Sequence, residues 1–365
     1  MSDGDTLSSL RARIDAIDDQ MLALLNARAH WAREVGRLKV ALQTGVRDPA
    51  REQAIYDRLI GLNVGPLSNE AIRRLFREII AESRAVEGHV MGKVRVAYLG
   101  PKATFTHMAT TRYFGGAVDG LPLHGIKAVF EEVERGRADF GVVPIENSTE
   151  GVVNHTLDLF ADSPLKIYGE VLQEIEQHLL SVHGEIERVR CVYSHAHALA
   201  QCKNFLETYL PGIPTVEVES TARAAEMARD DPKTAAVASE LAARLYDLTI
   251  LKPRIQDHPH NVTRFLIVSQ KSPERSGHDK TSILFSIQDK AGALYEILRP
   301  FSEHRVNLTK IESRPSKRKA WAYFFYVDVD GHLDDAPIQA ALAEIGRLAI
   351  SAKMLGSYPA AERPA

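Results

Sequence analysis

Apolar residues recur at alternating spacings of three and four from Leu7 onward: Leu10, Ile14, Ile17, Met21 and Leu24, then, after a gap, Trp31, Val35 and Leu38 in phase. This stripe predicts one helix over 7–39, roughly 50 Å long at 1.5 Å per residue, which needs partner helices to cover it. Asp48-Pro49 is a start signal for a second helix running to about Leu62, stopped by Gly65-Pro66. Ser68 caps a third, with Ile72, Phe76, Ile79 and Ser83 on one face. Residues 1–92 thus read as an all-helical domain.

Near Val94 the period changes. Short β-branched runs at 94–98, 140–143, 189–193, 215–218 and 235–238 alternate with helical stretches at 127–135, 196–209, 221–230 and 239–246. That alternation predicts an α/β domain over 93–270. Residues 271–280 have linker composition. Beyond them, strand 281–288, helix 292–304, strands 306–313 and 320–329, helix 336–346 and strand 351–357 follow the ferredoxin-like βαββαβ order through 359.

Composition narrows the class. The 365 residues are 45% hydrophobic and 25% charged, as in folded globular chains. Lys+Arg 45 against Asp+Glu 48 leaves a net charge of -3, with no global basic excess for nucleic acid. Lys317-Arg318-Lys319 reads as a solvated turn. The acidic start Met1-Ser2-Asp3 is not a secretory leader, and no apolar run is long enough for a bilayer, so a cytoplasmic protein without membrane contact is expected. Two cysteines make neither a disulfide framework nor a Cys-based zinc site. His195, His197, His258 and His260 lack metal-ligand spacing, so neither a metal nor any other cofactor is expected.

Charges stand where the period asks for core residues. Arg28 occupies the stripe position between Leu24 and Trp31. A lone arginine there reads as a buried ion pair or as a side chain snorkelling past the core edge. Its neighbours favour a polar pocket. Lys39 falls on the same helix face, Ser83 and Glu87 extend the third helix's stripe, and Asp48, Arg51 and Glu52 crowd the second helix's first turn. The excess of cations suits an anionic ligand. Arg11 lies about 25 Å from Arg28 along the helix and reaches such a pocket only from an antiparallel partner.

In the α/β region, Glu146-Asn147-Ser148-Thr149 at a strand end and Asn261-Val262-Thr263-Arg264-Phe265 before a strand stand out, with Thr104, Ser194-His195 and Ser220-Thr221. Each isolated hydroxyl reads first as a helix cap or turn residue. Together they read as falling at strand C-termini, where open α/β sheets bind ligands.

Residues 7–87, through Leu10-Arg11, Ala27-Arg28, Gly36-Arg37-Leu38-Lys39 and Val46-Arg47-Asp48-Pro49-Ala50-Arg51-Glu52, resemble the helical mutase domain of bacterial bifunctional chorismate mutase–prephenate dehydratases. The Thr-Arg-Phe signature and Gly100-Pro101-Lys102-Ala103-Thr104, with Ala103 where glycine is common, resemble the dehydratase. Gly292-Ala293-Leu294 and Glu312-Ser313-Arg314-Pro315 resemble an ACT module. The resemblance implies an intertwined helical homodimer, a two-lobed domain like a periplasmic binding protein, and a regulatory domain.

It also implies roles. Arg11, Arg28, Lys39 and Arg51 would hold the carboxylates and ether oxygen of chorismate, with Asp48 and Glu52 at its hydroxyl end and Ser83 and Glu87 in the same pocket. Glu87 stands where the enterobacterial form has glutamine, so it would act only when protonated. Thr263 would protonate the departing hydroxyl of prephenate, with Arg264 in support and Glu146, Asn147, Ser148 and Thr149 on the opposite wall; Thr104, Ser194, His195, Ser220, Thr221, Asn261 and Phe265 complete the cleft. L-Phenylalanine would bind at Gly292, Ala293, Leu294, Asn307, Leu308, Glu312, Ser313 and Arg314 and inhibit. The residues alone leave two other readings open: a non-catalytic aromatic-metabolite sensor, or a dehydratase with a decayed mutase pocket.

Overall fold

A computed structural model describes residues 6–42, 48–91, 94–115, 118–315 and 323–361. The Val46-Arg47 part of the helical motif, the Lys317-Arg318-Lys319 turn and the first residues of the strand expected over 320–329 lie outside the described residues, as does Met1-Ser2-Asp3.

The chain divides into two compact units. The first contains three helices: α1 (Leu7–Leu42), α2 (Pro49–Leu62) and α3 (Asn69–Met91). Asp48 caps α2 by accepting from the Arg51 N–H at 2.8 Å. Ser68 Oγ does the same for Ala71 at the start of α3. The C-terminal third of α1 packs on α3 through small residues: Ala32 and Gly36 are buried there. A Cβ at Gly36 would stand 3.0 Å from the Glu87 carbonyl oxygen, so the close helix approach requires glycine. Among the described residues the predicted stripe finds no cover. Leu7, Leu10, Ile14, Ile17, Met21, Leu24, Trp31, Val35 and Leu38 are all exposed.

The second unit begins with β1 (Arg95–Leu99), α4 (Phe105–Phe114), β2 (Asp119–Leu123), α5 (Ile126–Glu134), β3 (Phe140–Asn147), β4 (Gly151–Val152), α6 (Asn154–Asp162) and β5 (Lys166–Glu174), except that the end of α4 from Arg112 and the first residue of β2 divide with the first unit. It continues through β6 (His178–Ser181), β7 (Cys191–Ser194), α7 (Ala196–Gln201), α8 (Lys203–Tyr209), β8 (Thr215–Glu217), α9 (Thr221–Asp230), β9 (Thr234–Ala238), α10 (Glu240–Leu245), β10 (Thr249–Lys252) and β11 (Val262–Ser269). The first lobe is a sheet in the order β2-β1-β3-β11-β5, with β4 beside β3; the second is β10-β6-β9-β7-β8. The chain enters the second lobe after β5 and returns before β11, so two crossings join the lobes.

The helix expected over 196–209 is two helices meeting at Cys202, which leaves helical geometry at φ -114 and ψ 16. Strands β2, β5, β6 and β10 were not among the expected ones. Asp119, Gly120 and Pro122 disguise β2, and β5 sets Lys166, Glu170, Gln173 and Glu174 among its apolar residues.

The C-terminal elements are β12 (Asp279–Ser286), α11 (Ala293–Glu303), β13 (Leu308–Pro315), β14 (Tyr323–Asp330), α12 (Ala336–Leu348) and β15 (Ser351–Pro359). Their sheet order β13-β14-β12-β15 is antiparallel throughout, as a ferredoxin-like fold requires. Strand β12 starts inside the expected linker because Asp279 is buried and accepts from the Ser276 and Gly277 backbones. One face of this sheet packs on α11 and α12 through Ile283, Phe285, Ile297, Val327 and Ile345. The other does not face solvent. Leu284, Tyr326, Leu355 and Tyr358 join Phe130, Phe160, Leu266 and Val268 in one core shared with the first lobe.

Candidate active sites

In the helical unit the structure brings Arg28, Ser83, Lys39 and Glu87 together. Arg28 donates to Ser83 Oγ and, at 3.2 Å, to the Ile79 carbonyl; Lys39 Nζ meets Glu87 Oε2 at 2.8 Å. Burial pulls the Arg28 guanidinium down from its ordinary value, and the Glu87 charge opposes that. Glu52 pairs at 3.1 Å with Arg84, a buried arginine that the sequence reading passed over. Its only sequence signal was its place beside Ser83. Asp48 spends one carboxylate oxygen on its cap, and Arg51 and Arg11 lie exposed.

In the first lobe, strand register sorts the candidates. Thr263 pairs with Asn147 and Arg264 with Glu146 across β11 and β3, so neighbours along each strand point to opposite faces. On one face Asn147 Nδ2 donates to Thr263 Oγ1 at 2.8 Å and to Asn261 Oδ1 at 2.7 Å. Its Oδ1 accepts from the Thr149 N–H, the Thr149 hydroxyl and the Glu150 N–H. Ser148 Oγ accepts from the Val262 N–H at 3.0 Å, tying the two loops. The expectation that Thr263 lies at a strand C-terminus needs correction. It sits near the start of β11, and reaches the end of β3 because the two strands are antiparallel.

The other face carries the larger corrections. Arg264 is not beside Thr263 in the cleft. It donates to Glu170 (2.6 Å), Asp328 (2.6 Å) and Tyr358 (3.0 Å) on the reverse face. Burial acts to lower its pKa, but Tyr358, Asp328 and Glu170 outweigh that and hold it well above the ordinary value. Glu146 leaves the cleft wall for the same reason and pairs with Lys310 at 2.5 Å. Phe265 is core, 2% exposed.

Several hydroxyls take the structural role. Thr104 Oγ1 accepts from the His107 N–H, and Ser220 Oγ from Arg223, each at a helix start. Thr221 is the first residue of α9 behind that cap. Ser194 is fully buried and donates to the Val237 carbonyl at 2.6 Å, so it cannot line a cleft. His195 caps α7 through Nδ1, and burial followed by His197 lowers its pKa. Across the lobes, Glu150 holds His197 at 2.6 Å and accepts from Gln201 at 2.7 Å, and Ser239 Oγ reaches the Ala103 carbonyl. Ala103 has a left-handed φ of 67, the reason this motif position favours glycine.

At the C-terminal module, Gly292 has φ 81 and caps α11, Ala293 is buried and Leu294 exposed. Asn307 donates to Asp330 at 2.6 Å. Leu308, Glu312 and Ser313 lie along β13. Arg314 pairs with Asp158, which it meets at 3.2 Å and 3.3 Å.

With this geometry in view, comparison with known proteins is decisive. Residues 10–88 match the chorismate mutase type II family, 96–273 the prephenate dehydratase family and 281–347 the ACT domain family. The bifunctional chorismate mutase/prephenate dehydratase of Aquifex aeolicus is 48% identical over 361 residues, 98% of this chain and 99% of that protein. Among solved structures, prephenate dehydratase from Arthrobacter aurescens in complex with L-Phe is 38% identical at TM-score 0.68, covering 73% of this chain and 90% of that one. The Staphylococcus aureus prephenate dehydratase is 30% identical at TM-score 0.64, covering 72% and 99%. The chain belongs to the bifunctional chorismate mutase/prephenate dehydratase family and carries an ACT domain.

Proposed function

We propose that the helical unit rearranges chorismate to prephenate, that the two-lobed domain converts prephenate to phenylpyruvate, and that L-phenylalanine inhibits the second step. The observation that carries this reading is the pair of separate polar constellations, Arg28-Lys39-Ser83-Glu87 and Thr263-Asn147-Asn261, one in each unit.

A pericyclic rearrangement needs neither nucleophile nor metal. It needs the substrate folded into its reactive conformer and positive charge near the ether oxygen as the C–O bond breaks. Arg28 and Lys39 supply that charge, with Ser83 and Glu87 beside them in the same pocket. Arg51 and the partner subunit's Arg11 take the carboxylates, with Asp48 and Glu52 at the hydroxyl end. The exposed stripe of α1 supports a homodimer in which a second copy covers it.

In the dehydratase, Thr263 donates its proton to the departing hydroxyl as carbon dioxide leaves. Asn147 holds the Thr263 oxygen as acceptor, which leaves the hydroxyl proton free to point at the leaving group. No described helix is long and apolar enough to cross a membrane, and we place the enzyme in the cytoplasm. Purified protein given chorismate and followed at the absorbance of phenylpyruvate tests the whole reading. Prephenate accumulating without phenylpyruvate removes the dehydratase assignment, and unchanged chorismate removes the mutase.

A further inference from the structure

The reverse face of the dehydratase sheet holds a buried ionic cluster that neither reaction uses. Glu170 on β5 is 1% exposed at its side chain and accepts from Arg264 Nε, from Lys280 Nζ at 2.8 Å and from the Ala361 N–H at 2.9 Å. Asp328 on β14 accepts from Arg264 and from Ser282 Oγ at 2.5 Å, and Ser282 also bonds Tyr358 at 2.6 Å. Two cations and two carboxylates balance. Burial, then Asp328, pushes the Tyr358 phenol up, so it stays neutral. A set of charges this deeply buried persists only when every member is satisfied.

Its placement is the informative part. Arg264 and Glu146 are the cross-strand pair next to Thr263 and Asn147, and the ACT sheet grips both. Asp328 of β14 and Tyr358 of β15 hold the first; Lys310 of β13 holds the second. The grip is reinforced nearby. Tyr326 donates to the Leu157 carbonyl, Lys353 to the carbonyls of Phe160 (2.8 Å) and Ser163 (2.6 Å), and Lys166 to that of Met354 (2.8 Å). A Cβ at Gly356 would come within 2.5 Å of the Ile167 carbonyl oxygen, so β15 and β5 meet backbone to backbone.

We propose that Arg264 and Glu146 are positioning residues, held from behind by Asp328, Tyr358 and Lys310 so that β11 and β3 present Thr263 and Asn147 to the cleft in register. The ACT sheet is then a wall of the catalytic scaffold, and not a detachable sensor. The 2.8 Å bond between Asn147 and Thr263 depends on the relative height of two strands. A slip between them misaims the proton donor without removing it, which lowers turnover more than binding. Misplacement of a reacting group by about 1 Å costs on the order of 10²-fold.

The inference rests on Thr263 as the proton donor, so the test carries Thr263→Ala beside it. In the full-length enzyme, Asp328→Asn keeps the size of the side chain and removes its charge, and Lys310→Met does the same at Glu146. Each should lower dehydratase kcat roughly 10- to 100-fold with KM within about two-fold, and leave mutase activity unchanged. Lys310→Arg should restore most of the loss. Wild-type kcat in both Asp328→Asn and Lys310→Met overturns the proposal, as does a loss confined to KM. If Thr263→Ala retains activity, the proton-donor reading fails instead. Should Asp328→Asn not fold, Ser282→Ala removes one bond to Asp328 and keeps every charge; it should show a smaller fall in kcat, and its absence counts against the proposal equally.

Discussion

Both units bury charge, but they resolve it differently. In the helical unit Arg28 and Lys39 are paired with Ser83 and Glu87 on a helix whose apolar stripe is exposed, which is the setting of the mutase site proposed above. In the second unit the charges behind β11 close on one another within a single chain, under a core continuous from Phe160 to Tyr358. The difference separates charges that bind from charges that hold. A binding charge has partners it can exchange; a holding charge is closed into a buried set whose members satisfy one another.

The sharpest break of that comparison comes from removing one group from each site. Arg28→Ala should reduce mutase activity by about 10² or more, the scale of losing one preorganised donor, and leave the dehydratase intact. Thr263→Ala should do the converse, and separate assays of each step check both. A folded variant that loses both activities would end the idea of independent sites. Charging the stripe, as in Ile17→Glu, should cost the mutase at least roughly 10-fold if Arg11 is supplied by a second copy as proposed, and spare the dehydratase. Sedimentation with parallel assays reads this; a dimer with full mutase activity contradicts it. Glu87→Gln is a subtler change. The amide keeps the size of the side chain and donates to the ether oxygen without placing a carboxylate charge beside it, so mutase activity should stay within about ten-fold of the wild type, and a loss as large as that of Arg28→Ala contradicts the role given to Glu87.

Much of this was legible in the sequence, and the exceptions share a cause. The stripe of α1 and the charges at 28 and 39 are visible because helix periodicity assigns each position a face, and the structure keeps Arg28 and Lys39 on the face of α1 that meets α3. The cleft was harder. Thr263 and Arg264 are adjacent in sequence and belong to opposite faces, as do Asn147 and Glu146. A motif read as one cluster therefore merged two layers. Period two along β3 and β11 would have separated them had Glu146 and Arg264 been apolar, but a charged residue buried by a distant domain looks like a solvent-facing one. Arg84 escaped for a similar reason, since its partner Glu52 lies on another helix. Ser194 and Ser220 illustrate the opposite error, hydroxyls that serve the backbone.

The smallest expected effect concerns histidines in the second unit that neither bind nor hold through charge. Burial, then Lys102, lowers the pKa of His107, whose Nδ1 accepts from the Ala103 N–H at 3.0 Å while its ring stacks on Tyr98. Burial also lowers that of His178, 5% exposed, whose Nδ1 accepts from the Arg254 N–H at 3.2 Å. Both nitrogens must be unprotonated to accept, so the folded state selects the neutral ring. The folded pKa of each lies below the unfolded value of 6.5. Between those two values the unfolded chain binds more protons, so stability rises with pH there. Their contribution is complete above about pH 6.5 and is lost as pH falls below it. Carboxylates also titrate toward acid, so the diagnostic is a difference between proteins. His178→Gln keeps an acceptor for Arg254 and cannot take up a proton. Its melting temperature should fall less than that of the wild type between pH 7 and pH 5, and parallel melting curves would show that His178 is not held neutral by the fold.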